Sequence, residues 1–214
     1  MSAADRAYVH TKERILDGEY AQGRLIGEGE VSEAVGVSRT PVREAFLRLE
    51  AEGMLHLYPK RGALVVPISA ADVEDVMETR LLLERFAIAR VIELDLDLSD
   101  RLAAAIAAQE GHAAAGDAVA FVDADREFHH IFVAATGNAI ILRTHDSLRD
   151  QQNRMGLAAL SAGAERMERI LQQHNAIVAA VGKGDVDEAG ALIERHLDET
   201  LRLLRRASSP NLGE

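Results

Sequence analysis

Asp125 and His129 stand four residues apart in Asp125-Arg126-Glu127-Phe128-His129, a run that reads as helix. That spacing puts a carboxylate and an imidazole on one helix face. Two more histidines sit inside separate helical runs. His174 lies beside the apolar positions Ile170, Ile177 and Val178, and His196 lies next to Leu197 and four residues after Leu192, so both point toward a helical interior. A buried imidazole or carboxylate without a partner is costly. One Asp and three His turned inward can all be satisfied by a shared divalent ion, with zinc the first choice and nickel or manganese able to compete. The spacing is equally compatible with four separate side chains, each solvated or hydrogen-bonded in its own way. His130 and His145 compete as ligands, although His130 is about 100° around the helix from His129 and does not easily share its centre.

A second constellation belongs to a different chemistry. In Val37-Ser38-Arg39-Thr40-Pro41-Val42-Arg43-Glu44-Ala45-Phe46 two arginines lie four apart, on a face separate from Phe46 and Leu49. Guanidinium matches the acceptor pair on a guanine edge and also pairs with phosphate. Ser38 and Thr40 can donate to phosphates, and Lys60 and Arg61 in Pro59-Lys60-Arg61-Gly62 can reach the DNA backbone or minor groove. The alternative leaves Arg39 and Arg43 as solvated charges, paired with Glu44 or Glu50.

The elements that must position these residues follow from punctuation and periodicity. A first helix runs from Tyr8 to Asp17 and ends at Gly18, and Glu19 to Ile26 is a connector. A second helix, Glu28 to Val35, stops at Gly36 as a C-terminal cap. Ser38 or Thr40 caps a third helix that has Pro41 in its first turn and ends near Glu52 at Gly53. Met54 to Tyr58 and Ala63 to Val66 are short apolar strands flanking a Pro/Gly turn, which makes a β-wing with a basic tip. Residues 1–66 are therefore expected to be a winged helix-turn-helix DNA-binding domain, with the arginines at the N-terminal end of a helix that enters the major groove.

Pro67 to Ser69 is the expected boundary. Residues 67–207 read as helix almost throughout, in segments near 70–94, 99–115, 118–136, 138–160, 163–182 and 185–206, with a break at Ser161 to Gly163 among others. The fold class is mostly α, with a bundle of about six helices after the winged module. Residues 208–214 read as a frayed tail.

Composition bounds the rest. With 48% apolar residues but 4% aromatics and no Trp, the 214-residue chain must build its core from Leu, Ala, Val and Ile, which suits packed helices. The absence of Cys excludes disulfides and thiolate ligands. No run approaches a membrane span, and Met1 to Asp5 open no signal-peptide core, so a cytoplasmic protein is expected. The net charge of −11 is unevenly placed. Residues 1–66 hold 9 Lys/Arg against 10 Asp/Glu, and the remainder hold 15 against 25. An acidic second part repels DNA and leaves recognition to the first.

The pattern Gly23-x-Leu25, then Gly36 to Ala45, then Arg48-Leu49-x-x-x-Gly53 resembles the winged-helix signature of the GntR family of bacterial transcription regulators. Glu78-x-Arg80-x-x-x-Glu84, Asp125-x-x-Phe128-His129, Gly137-Asn138, His174-x-x-Ile177, Gly184-Asp185 and His196 resemble the helical effector-binding FCD domain of its FadR subfamily, in the variant that lacks an extra N-terminal helix. The resemblance covers about residues 8–205. It implies a homodimeric repressor that binds a DNA operator and is released by a small organic acid. It implies that Asp125, His129, His174 and His196 hold one metal ion, and that Arg80 approaches the effector pocket, where a guanidinium can clamp a carboxylate. Two positions depart from the pattern. Gly29 stands where many relatives have an arginine, which removes a DNA contact and weakens the second helix. Ser32 stands where alanine is usual and reads as neutral. Rival readings are a DNA-binding protein with a purely structural metal, and a metalloenzyme with a DNA-binding appendage. No nucleophile or placed general base favours the second.

Overall fold

The structure is a computed structural model that describes residues 1–160 and 164–208. The expected break at Ser161 to Gly163 and the tail beyond Ser208 lie outside the described residues. The chain divides into two compact units, Met1–Ile68 and Ser69 onward.

In the first unit, α1 (Ala3–Leu16) starts five residues before the expected Tyr8. Ser2 and Asp5 explain the difference. The Ser2 hydroxyl accepts from the Asp5 amide at 3.0 Å and the Asp5 carboxylate accepts from the Ser2 amide at 3.1 Å, a capping box that satisfies two donors at the helix start. Helices α2 (Glu28–Val35) and α3 (Arg39–Ala51) follow. Gly36 joins them at φ 69°, a left-handed conformation that ends α2 at little steric cost. The Ser32 hydroxyl donates to the Val37 carbonyl across this turn, so Ser32 is a fastener of the turn rather than a neutral replacement. Val31, Val42, Ala45, Phe46 and Leu49 pack with Ile15, Ile26 and Leu55 in one apolar core.

Three strands, β1 (Leu25–Ile26), β2 (Leu55–Tyr58) and β3 (Gly62–Val65), form an antiparallel sheet in the order β1-β3-β2. Here β1 replaces the expected connector. Its pairing brings the Ile26 carbonyl against Gly62, where a Cβ would lie 2.2 Å from that oxygen at a backbone φ of 106°. Only glycine fits. The wing tip is a tight turn in which the Arg61 amide donates to the Tyr58 carbonyl at 3.0 Å. Pro59 supplies its restricted φ, and Lys60 takes the left-handed position at φ 63°.

The second unit is helical: α4 (Ala70–Glu93), α5 (Ser99–Ala115), α6 (Ala118–Ala135), α7 (Ala139–Ser147), α8 (Arg149–Leu160), α9 (Ala164–Gly182) and α10 (Val186–Ser208). Ser69 and Asp72 repeat the capping box at the start of α4. The expected segment 138–160 is two helices, α7 and α8, parted at Leu148 without a glycine or proline. Helix α10 packs on α4 and α9, and α5 and α8 flank α6. Among the described residues no helix is long and apolar enough to cross a membrane.

Candidate metal centre and nucleic-acid face

Asp125 and His129 project from one face of α6, where four-residue spacing aligns them. Helix α9 brings His174 and α10 brings His196 to the same place. One ligand atom from each of the four residues lies within 4.8 Å of the other three. The histidines are buried and Asp125 is half-buried. The Phe128 ring stacks on His174 at 4.0 Å between centroids, 13° from parallel, and so fixes that imidazole from the side.

A different neighbour meets the Nδ1 atom of each histidine. His174 Nδ1 lies 2.8 Å from Gln109 Oε1, and Gln109 Nε2 donates to the Ala124 carbonyl, which fixes the amide's orientation. His196 Nδ1 lies 2.8 Å from Gln173 Oε1, whose Nε2 donates to Glu199. His129 Nδ1 lies 2.7 Å from Glu84 Oε2. The two amide oxygens only accept, so Nδ1 of His174 and of His196 carries the proton and Nε2 presents a lone pair, while His129 Nδ1 meets Glu84 as an ion-pair contact. His129 Nε2, His174 Nε2 and Asp125 Oδ1 are buried with no hydrogen-bond partner. Ligand atoms converging from four residues, three of them with unsatisfied acceptors, are the donor set of a divalent ion. The residues therefore fit such an ion. His130 and His145 stand outside the group. His130 Nε2 is 3.3 Å from Asp146, and His145 Nε2 is 3.6 Å from Glu84.

The electrostatics keep the His174 and His196 imidazoles neutral. Burial, then the neighbouring His196, His129 and Arg80, hold His174 well below the usual histidine range. Burial, then His129 and Arg80, do the same to His196. At Glu84 burial alone would raise the carboxyl, but the Arg80 guanidinium and His129 override it and hold the group well below its usual range. The two lowered histidines give the metal-free protein a defined pH dependence. The unfolded chain takes up protons below about 6.5 while the folded one resists them. Stability from these groups is complete above that pH and is lost as pH falls, by up to about 1.4 kcal/mol per pH unit for each histidine. Urea unfolding of chelator-treated protein at pH 7.5 and 5.5 checks this, and equal midpoints would contradict two neutral buried imidazoles.

Arg80, on α4, is buried rather than at the surface. Its Nε donates to Glu84 at 2.8 Å and its Nη2 is buried without an acceptor. It lines a cavity of about 30 Å³ together with Asp125 and His196.

The other expected residues are in the first unit. Ser38, Arg39, Thr40 and Arg43 are exposed at the start of α3, and Ser38 caps that helix without a side-chain hydrogen bond, which leaves its hydroxyl available. Arg43 Nε pairs with Glu28 at 2.7 Å rather than with Glu44 or Glu50, the partners of the alternative reading. The Glu50 carboxylate accepts from the Leu57 amide instead. The Arg39 guanidinium lies over Gly29, 3.6 Å from where a Cβ would stand. Lys60 and Arg61 are exposed at the wing tip.

Glu84, Gln109 and Gln173 went unmarked in the sequence as partners of the histidines. Glu84 and Gln109 come from helices remote in sequence. Only Gln173, next to His174, carried a local signal, and its partner is His196.

Residues 3–65 match the model of the bacterial regulatory proteins of the gntR family, and residues 75–199 match that of the FCD domain. An HTH-type transcriptional regulator of Streptomyces ambofaciens is 30% identical over 217 residues, covering 96% of this chain and 87% of its own. The gluconate operon transcriptional repressor of Bacillus subtilis is 26% identical, covering 86% of this chain and 77% of its own. Among solved structures, a putative transcriptional regulator GntR from Rhodococcus sp. RHA1 shares the fold with a TM-score of 0.81 at 23% identity, over 97% of this chain and 99% of that one. These relatives and both families are transcriptional regulators rather than enzymes.

Proposed function

The chain belongs to the gntR family of bacterial regulatory proteins and carries an FCD domain, and from this premise we propose that it is a cytoplasmic homodimeric repressor of the FadR subfamily, released from its operator by a small organic acid bound beside a metal ion. Residues 1–66 read the DNA and residues 67–207 hold the metal, the acid and the dimer contact, with 208–214 a tail. The observation that carries this reading is the buried group of Asp125, His129, His174 and His196, with open acceptor atoms beside a cavity that Arg80 also lines.

One divalent ion per subunit, zinc first and nickel or manganese as alternatives, would be held by those four residues and would supply a Lewis-acid anchor for a carboxylate. Arg80, with one free donor atom, would bind the same carboxylate. Ser38, Thr40, Lys60 and Arg61 would contact phosphates, and Arg39 and Arg43 base edges. The dimer reading is supported by α4, where Leu82 and Phe86 stand one turn apart and are 68% and 49% exposed. Apolar side chains paired in this way suit a second copy of the same surface, and a symmetric operator needs two heads. Repression is the sign recorded in the name of the Bacillus subtilis relative.

Fluorescence anisotropy with operator duplex tests the reading. The metal-loaded protein binds operator, and a small carboxylic acid lowers that affinity. Chelation or Arg80→Lys, which keeps the charge and removes the free Nη2, blunts the effect of the acid by tenfold or more while operator binding itself persists. Linkage requires the acid to bind the operator complex more weakly than the free protein. An acid response unchanged by chelation would leave the ion as a structural pin only.

A further inference from the structure

The cavity beside the candidate centre has more donors than a carboxylate that is also held by an ion can use. Arg80 Nη2, Arg126 Nε, Gln152 Nε2 and Arg166 Nε are all buried without an acceptor, and all four residues line that cavity. Two of the three guanidiniums already have a carboxylate, Arg80 on Glu84 at 2.8 Å and Arg166 on Glu199 at 3.0 Å. Even so, burial outweighs Glu199 and lowers the proton affinity of Arg166. Leaving such donors unpaired is costly, and cationic donors are best satisfied by an anionic oxygen.

We infer that the acid taken here carries a second anionic group, seated on Arg126, Gln152 and Arg166. The inference rests on the reading that an organic acid binds at this cavity. A first carboxylate shared between the ion and Arg80 uses the oxygens of that group, and the three remaining donors then face the other end of the ligand. A hydroxyl could satisfy one of them but would bring no charge to the guanidiniums. Size points the same way. The cavity of about 30 Å³ is little more than one water in volume, so entry requires side chains to move. Met77 and Met155 in its wall are the adaptable ones, and the small starting volume favours a short acid over a bulky one. The ligand class is therefore a short-chain dicarboxylate.

Calorimetry on the metal-loaded full chain tests this with matched pairs, succinate against butyrate and malate against 3-hydroxybutyrate. The expected result is that the diacid of at least one pair binds tenfold or more tightly than its monoacid. Arg126→Gln should bring that ratio to within about threefold, chiefly by weakening the diacid. Arg166→Gln, checked by circular dichroism because Arg166 also holds Glu199 and Thr200, should act in the same direction. Equal affinity within both pairs overturns the second anionic group and leaves the organic-acid reading intact. A diacid preference unmoved in both variants overturns the assigned seat. Failure of all four acids to bind overturns the organic-acid reading and this inference with it.

Discussion

His174→Ala is expected to remove the metal and the stability that comes with it. His174 is the most enclosed of the four residues, with Phe128 stacked on its ring and Gln109 on its Nδ1. An ion that binds only the folded chain adds about 2.7 kcal/mol at a free concentration 100 times its Kd, roughly 5–10 °C in melting temperature. The substitution also strands the Gln109 carbonyl and opens a void, so part of any loss has nothing to do with metal. The diagnostic is therefore a difference. Chelator should lower the melting temperature of the original protein and leave that of His174→Ala unmoved. Elemental analysis after gel filtration should find about one ion per subunit in the first and almost none in the second. Full metal content in the variant would remove His174 from the ligand set.

Arg39→Ala is expected to cost operator affinity about 1–3 kcal/mol, up to about a hundredfold, with folding and subunit number unchanged. Arg43→Ala should cost less. Arg43 already has a carboxylate partner in Glu28, and a base contact must exchange that pair, whereas the Arg39 guanidinium lies over Gly29 with an open route outward. An exposed ion pair is worth no more than about 1 kcal/mol, so Glu28 tempers the Arg43 contact without preventing it. Anisotropy against operator and scrambled duplex measures both. If neither variant loses affinity for operator relative to scrambled DNA, α3 is not the reading helix.

The local parts of this architecture were legible in the sequence. Gly36, Pro41 and the apolar spacing of Val42, Phe46 and Leu49 mark the helix-turn-helix, and four-residue spacing aligns Asp125 with His129. The apolar neighbours of His174 and His196 are enough to turn both inward. What escaped depends on distance or on brevity. Strand β1 has two residues, too few for an alternation, and exists because Gly62 admits the Ile26 carbonyl. The parting at Leu148 carries no glycine or proline, so 138–160 reads as one run. The early start of α1 rests on the capping box of Ser2 and Asp5, which lies ahead of the apolar spacing that marks the helix from Tyr8. Glu84 and Gln109 lie 45 and 65 positions from the histidines they orient, and no periodicity reports on a pairing of that span.

The orienting contacts of the three histidines reach well beyond the ligands themselves. Through Glu84 the group touches α4, through Gln109 α5, and its own members stand on α6, α9 and α10. Five helices thus converge on a point that a single solute can occupy or vacate. In the language of amide hydrogen exchange, those five should open together as one cooperative unit whose protection rises when an ion is bound. A centre wired in this way reports to five helices at once, and a signal leaving it has no need of a single path.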